Sequence, residues 1–166
     1  FASRDAMDID GCGEAVLKAL IDAELIHSAA DLYYLSTDDI MSLDRKKEKS
    51  ANNLYNSIQH SKQRDLSRLL FAFGIRHVGQ KAAKILSNHF GSLDNLLNAS
   101  LDELTVIRDI GETTAQSICN WREQEQSKHI IEKLRGAGVN FNGEQTVTSN
   151  KLEGMTIVAT GSLTLY

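Results

Sequence analysis

The stretch Gly74-Ile75-Arg76-His77-Val78-Gly79-Gln80-Lys81-Ala82-Ala83 lies between two runs whose apolar residues recur at helical spacing. Leu66, Leu69, Leu70 and Phe73 form one stripe before it, and Ala82, Ile85, Leu86 and Phe90 form another after it. The pattern predicts a helix, a tight hairpin and a second helix. Gly74 suits the left-handed residue that ends the first helix, and Gly79 opens the second with no side chain over its backbone N–H groups. Those N–H groups have no intrahelical partner and stand at the positive end of the helix dipole, so such an opening can hold a phosphate. Lys81 and Lys84 lie one turn apart beside it.

Working outward, the same unit recurs. Gly79 with Ala83 four residues on is matched by Gly111 with Ala115, by Gly13 with Leu17 and by Lys47 with Ala51, at spacings of 32 to 34 residues. That period is typical of helical repeats. Each anchor is followed by apolar residues at fixed offsets: Leu17, Leu20 and Ile21; Ala51, Leu54 and Tyr55; Ala83 and Leu86; Ala115, Ile118 and Cys119. These place a core stripe on every second helix. Ser87 interrupts the third stripe, where Ile85 is expected to fill instead.

The connectors also read as helices. Ser36 with Asp39, and Ser100 with Glu103, are capping-box starts leading into Ile40 and Met41 and into Leu101, Leu104 and Val106. Ser127 is expected to cap a last helix carrying Ile130, Ile131 and Leu134, ended by Gly136 and Gly138. The expected fold is therefore all-α, with four tandem helix-hairpin-helix units in one compact domain over residues 1–141. Residues 142–150 have almost no apolar content and read as a linker. Gly154-Met155-Thr156-Ile157-Val158-Ala159-Thr160-Gly161 reads as a buried strand into a turn, the start of a second domain left incomplete in residues 151–166. The chain, opening on Phe1 and closing on Leu165-Tyr166, is expected to be a piece of something longer.

The 166 residues include no proline and few aromatics, consistent with a helical body large enough for a packed core. No apolar run approaches the roughly 18 residues of a membrane span, and no signal-peptide pattern opens the chain, so a soluble, cytoplasmic protein is expected. Cys12 and Cys119 lack metal-ligand spacing and fall at apolar positions, which predicts two buried thiols. The net charge of −4 hides an uneven distribution. Residues 1–43 carry two basic and nine acidic side chains, residues 44–90 ten and three, and residues 91–166 six and ten. The middle is a basic block, and local potential rather than the total draws a polyanion to a surface.

The third unit, with Gly74, Arg76, His77, Gly79, Lys81 and Lys84, is the best candidate phosphate site. The fourth keeps Gly111 and Arg108, with the hydroxyls of Thr113 and Thr114 available as donors. The first has both hairpin glycines, Gly11 and Gly13, but sits among Asp5, Asp8, Asp10 and Glu14, which oppose an anion. The second has no hairpin glycine and is dense in Lys46, Lys47 and Lys49. Either these lysines replace backbone contacts or the turn is a solvated face. Backbone N–H groups and lysines carry no sequence code, so the expected grip on nucleic acid is on phosphates flanking the minor groove. The competing explanation is that the glycines only let helix pairs pack closely. His27, His60, His77, His89 and His129 are scattered, and no reaction centre, P-loop or Cys-x-x-Cys pair is visible.

Phe1-Ala2-Ser3-Arg4-Asp5-Ala6-Met7-Asp8-Ile9-Asp10-Gly11, Glu48-Lys49-Ser50-Ala51-Asn52-Asn53-Leu54 and Leu70-Phe71-Ala72-Phe73-Gly74-Ile75-Arg76-His77-Val78-Gly79 together resemble the C-terminal half of bacterial NAD-dependent DNA ligases. The resemblance implies four helix-hairpin-helix motifs in a compact domain followed by a BRCT domain, of which Gly154 through Gly161 looks like the first strand and its phosphate-binding Thr160-Gly161 turn. It implies a parent enzyme that seals nicks in duplex DNA during replication and repair. That enzyme is adenylated on a lysine by NAD, uses a divalent metal such as magnesium, and carries a four-cysteine zinc finger, none of which this stretch contains. The partner implied is nicked double-stranded DNA, the state a monomer and the location the bacterial nucleoid. Cys12 stands where the family more often has an aliphatic residue, and Lys47 where it usually has glycine. A protein-docking helical module and the tandem-hairpin region of another DNA repair protein are the alternative readings.

Overall fold

The computed structural model describes residues 1–43 and 47–144, and these residues hold nine α-helices and one 3-10 helix with no strand. In chain order they are α1 (Glu14–Asp22), the 3-10 helix (Ala29–Tyr34), α2 (Thr37–Met41), α3 (Glu48–Ser61), α4 (Leu66–Ala72), α5 (Gln80–Phe90), α6 (Leu93–Asn98), α7 (Leu101–Thr105), α8 (Glu112–Glu123) and α9 (Glu125–Gly136). The all-α reading is borne out. The BRCT-like stretch 151–166, with residues 145–150 before it, lies outside the described residues.

The expected capping boxes open α2 and α7. Ser36 Oγ accepts from Asp39 N while Asp39 accepts from Ser36 N, and Ser100 and Glu103 do the same. Each pair satisfies two orphan N–H groups at once, which lets five-residue helices persist where propensity alone would not hold them. α2 with α3, α4 with α5, and α7 with α8 are the three complete helix pairs among the described residues. The first unit differs. Where a leading helix was expected, residues 3–7 form a turn, with Ala6 N and Asp8 N both donating to Ser3 O. That turn is fastened by Arg68, which donates to the carbonyls of Arg4 and Ala6, and by Arg64, which pairs with Asp8 at 2.7 Å.

One core runs through all four units. Seven residues after each anchor, Leu20, Leu54, Leu86 and Ile118 are fully buried, and four residues after it Ala51, Ala83 and Ala115 are buried too. A stripe repeated at the same offset on four helices lets one packing arrangement be reused, each alanine admitting the neighbouring helix closely. The eighth position is less uniform. Ile21, expected in the core, is 57 % exposed, whereas Ser87, expected to break the stripe, is 1 % exposed. Gly143 explains the latter, since its backbone lies so close that a Cβ there would stand 2.5 Å from Ser87 Oγ. Val106, read as part of the α7 stripe, is 80 % exposed, because α7 ends one residue earlier and Leu104 alone turns inward from that end.

α9 begins at Glu125, not at Ser127; Ser127 is a buried residue inside the helix, and Gln124 occupies the cap position. The helix is clamped to the first half of the chain. Lys133 pairs with Asp31 of the 3-10 helix, and Tyr34 Oη donates to Lys133 O at 2.7 Å. Burial pushes the Asp31 carboxyl upward, but the Lys133 hydrogen bond and charge and the N–H groups of His27 and Ser28 outweigh it and hold the pKa at about 2. Asn142, Gly143 and Glu144, read as the start of the linker, are bonded to the bundle: Leu66 N donates to Asn142 O, Gly143 N to Gly91 O, and Glu144 N to Asp65.

Candidate functional site

Three hairpins share one backbone plan. Cys12 N donates to Ile9 O, Val78 N to Ile75 O and Ile110 N to Ile107 O, each closing a four-residue turn just before the anchor glycine. Ile9 and Cys12, Ile75 and Val78, and Ile107 and Ile110 are buried pins, while the residues between them point outward. Two residues before each anchor the chain is left-handed: Gly11 has φ +80°, His77 +67° and Asp109 +68°. Only the first of these is a glycine, so His77 and Asp109 hold a conformation that L-residues adopt at a cost of roughly 1–2 kcal/mol. His77 thus stands at the bend of the turn, exposed. Gly74, at φ +64°, ends α4 as expected.

The anchors themselves are extended. Gly13, Lys47, Gly79 and Gly111 have φ between −63° and −84° and ψ of 175°, 144°, −174° and 168° in turn, a region any residue occupies. Each anchor carbonyl accepts the first intrahelical bond, from Leu17, Ala51, Ala83 and Ala115 at 2.9–3.1 Å. No side chain caps any of the four helices. A Cβ built on Gly13, Gly79 or Gly111 meets nothing within 4 Å. Neither conformation nor helix packing therefore requires these three glycines, and close packing does not account for them. What they leave is an open approach to bare N–H groups at helix N-termini, an arrangement that receives anions.

Hairpins three and four stand side by side. Lys81, in the first turn of α5, reaches Asp109 in the bend of hairpin four at 3.5 Å, and Phe73 stacks on Trp121 of α8 with ring centroids 4.8 Å apart. Arg76, His77, Gly79, Lys81, Arg108, Gly111 and Thr113 are exposed, and Thr114 is half-buried. Lys84 reaches Asp65 at 3.9 Å. Burial raises the Asp65 carboxyl, but the Ser67 hydroxyl and N–H, the Glu144 N–H and the Lys84 charge prevail and keep it below the usual carboxylate range. The basic block is thus partly engaged within the fold, through Arg64, Arg68, Lys81 and Lys84. Among the described residues Arg76, Arg108, Lys47, Lys49 and Lys62 have no carboxylate partner. Lys46 lies outside the described residues. Hairpin one keeps Gly11 and Gly13 exposed, with exposed Asp10 and Glu14 beside them.

Sequence reasoning did not find the left-handed bends at His77 and Asp109, because neither residue type announces such a conformation as glycine does. Nor did it find the Lys81–Asp109 link, which joins residues of separate units. Among the described residues no three His, Cys, Asp or Glu side chains converge on a point a metal ion could occupy. Cys12 is buried and Cys119 half-buried. No described helix is long and apolar enough to cross a membrane.

Paired helices around short turns, the second helix opening on a bare extended anchor, have the form of helix-hairpin-helix units, and the family model of the helix-hairpin-helix motif matches residues 68–131. The whole chain, in turn, is similar to a segment of several DNA ligases. It is 48% identical over 166 residues to the DNA ligase of Caldicellulosiruptor bescii, covering 100% of this chain and 25% of that protein. It is 46% identical over 167 residues to that of Thermoanaerobacter sp., again 100% and 25%, and 46% identical over 163 residues to that of Trichlorobacter lovleyi, 98% and 24%. The chain thus spans about a quarter of the length of the relatives it matches.

Proposed function

We propose that this chain is the non-catalytic, DNA-gripping part of an NAD-dependent DNA ligase that seals nicks in duplex DNA in replication and repair. It holds backbone phosphates flanking the minor groove, with hairpins three and four as the principal grips, and reads no base sequence. The observation that carries this reading is the set of three anchor glycines that neither backbone conformation nor packing demands. The similar proteins, which are DNA ligases, supply the reaction class. Gly74, Arg76, His77, Gly79, Lys81 and Lys84 form the first grip, and Arg108, Gly111, Thr113 and Thr114 the second. Gly11 and Gly13 are weaker contacts because of Asp10 and Glu14, and Lys46, Lys47 and Lys49 add charge at hairpin two. NAD, magnesium and zinc serve the remainder of such an enzyme. Residues 151–166 begin its BRCT domain, and the enzyme works as a cytoplasmic monomer on nucleoid DNA.

Fluorescence anisotropy with nicked and intact duplexes tests the reading. Nicked duplex is expected to bind at about 50 mM salt and to be competed equally by DNA of unrelated sequence, and Arg76→Ala is expected to lower the salt slope by about 0.9 for one lost phosphate. No binding at that salt overturns the reading. It would favour protein docking instead, for which one observation speaks: the exposed Ile21 shares an apolar cleft with Phe1 and Leu17.

A further inference from the structure

We infer that Asp109 is a built-in competitor for the phosphate contact of Lys81: hairpin four keeps this cation of hairpin three neutralised until a DNA phosphate takes the carboxylate's place. The inference rests on the DNA-binding reading above. Asp109 Oδ2 stands 3.5 Å from Lys81 Nζ, so the pair joins the bend of one hairpin to the opening of the other. Local structure does not demand a carboxylate at that bend. The same left-handed place is filled by Gly11 in hairpin one and by His77 in hairpin three, so three different side chains serve it. An aspartate in a turn ordinarily caps a helix or closes the turn onto its own backbone neighbours. Asp109 does neither: Gly111 is the cap of α8, no side chain caps that helix, and among the described residues Lys81 is the one partner of the Asp109 carboxylate.

The carboxylate opposes the grip in which it stands. Hairpin four sets Arg108 against two exposed carboxylates, Asp109 and Glu112, and only Asp109 reaches a cation. Glu112, in the first turn of α8, and Asp5, in the cleft with Gln80 and Lys84, lie outside ion-pair distance of Lys81. Lys81 therefore answers to one carboxylate alone. The pair is made to be given up. Its side chains are 80 % and 50 % exposed, so water screens the attraction and the contact contributes little to the fold. A phosphate arriving at Gly79 meets the bare N–H groups of α5 and draws Lys81, which lies in the first turn of the same helix, off Asp109. Asp109 is then left as an unpaired carboxylate beside a polyanion, and that repulsion lowers the affinity of the grip. Removing the carboxylate relieves both costs, the broken pair and the repulsion, and only the first depends on Lys81.

The test is a double-mutant cycle on duplex binding by the whole chain, read by anisotropy at about 50 mM salt, with Asp109→Asn, Lys81→Met and the two combined. Glu112→Gln, alone and with Lys81→Met, is the control for a carboxylate of the same hairpin that does not touch Lys81. All three residues are exposed and asparagine accepts the left-handed bend, and thermal melts check that each variant folds. Asp109→Asn is expected to tighten binding by about two- to fivefold, the size of one exposed charge pair, and most of that gain is expected to vanish once Lys81 is methionine. Glu112→Gln is expected to act equally in both backgrounds. An equal gain from Asp109→Asn in both backgrounds means general repulsion of DNA and overturns the competition. Weaker binding by Asp109→Asn, which would make the pair a brace that positions the hairpins, overturns it as well, and so does wild-type affinity. Wild-type affinity and salt slope of Lys81→Met beside a weakened Arg76→Ala overturn the competition while the hairpin reading stands. Wild-type behaviour of both Lys81→Met and Arg76→Ala overturns the hairpin reading itself.

Discussion

Gly79→Ala separates what the fold needs from what a ligand needs. The anchor has φ −84° and ψ −174°, open to alanine, and the new Cβ meets no atom within 4 Å. Replacing glycine where the conformation suits alanine stabilises by about 0.4–1 kcal/mol through the unfolded chain. Alanine is the poorer N-cap, and the difference from glycine costs about 0.5–1.5 kcal/mol. The two effects nearly cancel, so stability is expected to change by less than about 1 kcal/mol, or about 2–4 °C in Tm for a chain of this size. Binding changes differently. The methyl group stands over N–H groups that a phosphate must approach closely, so one contact is lost and the salt slope falls by about 0.9. Between 50 and 200 mM salt that slope change alters the ratio of wild-type to variant affinity by about 3.5-fold. Anisotropy titrations at four salt concentrations, with urea melts on the same samples, read both quantities. A variant that binds duplex with wild-type affinity and slope refutes the reasoning, as does one that loses affinity only in proportion to lost stability.

Three further outcomes follow from the geometry. His77→Gly is expected to stabilise the chain by about 0.5–1 kcal/mol, because relief of the left-handed strain exceeds the entropy glycine adds to the unfolded state, and urea unfolding at pH 7 reads it. Asp31 has a folded pKa of about 2 against an ordinary value of 3.8, so its contribution is complete above pH 4 and disappears as pH falls toward 2. The shift corresponds to about 2.5 kcal/mol, so Asp31→Asn should flatten the fall in stability between pH 4 and 2; an unchanged acid limb would show that the Lys133 clamp contributes nothing. Gly143→Ala forces a Cβ to 2.5 Å from Ser87 Oγ and 3.1 Å from Ser87 O, an overpacking worth about 1–3 kcal/mol. Ser87→Ala removes a buried hydroxyl that has no hydrogen-bond partner among the described residues, and the double variant should recover part of the loss in chemical denaturation.

The hairpin at 74–83 announced the fold because every signal it carries is local. Buried residues at helical spacing, a glycine where α4 turns left-handed, and Ser-x-x-Asp or Ser-x-x-Glu at two helix starts are all decided by atoms within a few residues of one another. The four anchors could be aligned for the same reason, and Lys47 could replace glycine because an extended backbone makes no demand on the side chain. Local patterns failed where another element intervened. Ser87 is buried because Gly143 arrives 56 residues later to cover it, and Ile21 is exposed because no described element does the same for α1. Ser127 looked like a cap, yet α9 starts two residues before it.

The candidate site divides along the same line. Sequence alone determined the helices that flank hairpins two to four, where each second helix opens and which openings carry glycine, since backbone geometry and hydrophobic period are properties of consecutive residues. Tertiary structure decided which positive charges remain available. Arg64 and Arg68 fasten the N-terminal turn, Lys81 joins two hairpins through Asp109, and Lys84 leans toward Asp65, while Arg76 and Arg108 stay outward without a carboxylate partner among the described residues. Charge neutralisation acts through space within a few ångströms, and the paired charges are far apart in the chain, Arg64 and Asp8 by 56 positions and Lys133 and Asp31 by 102.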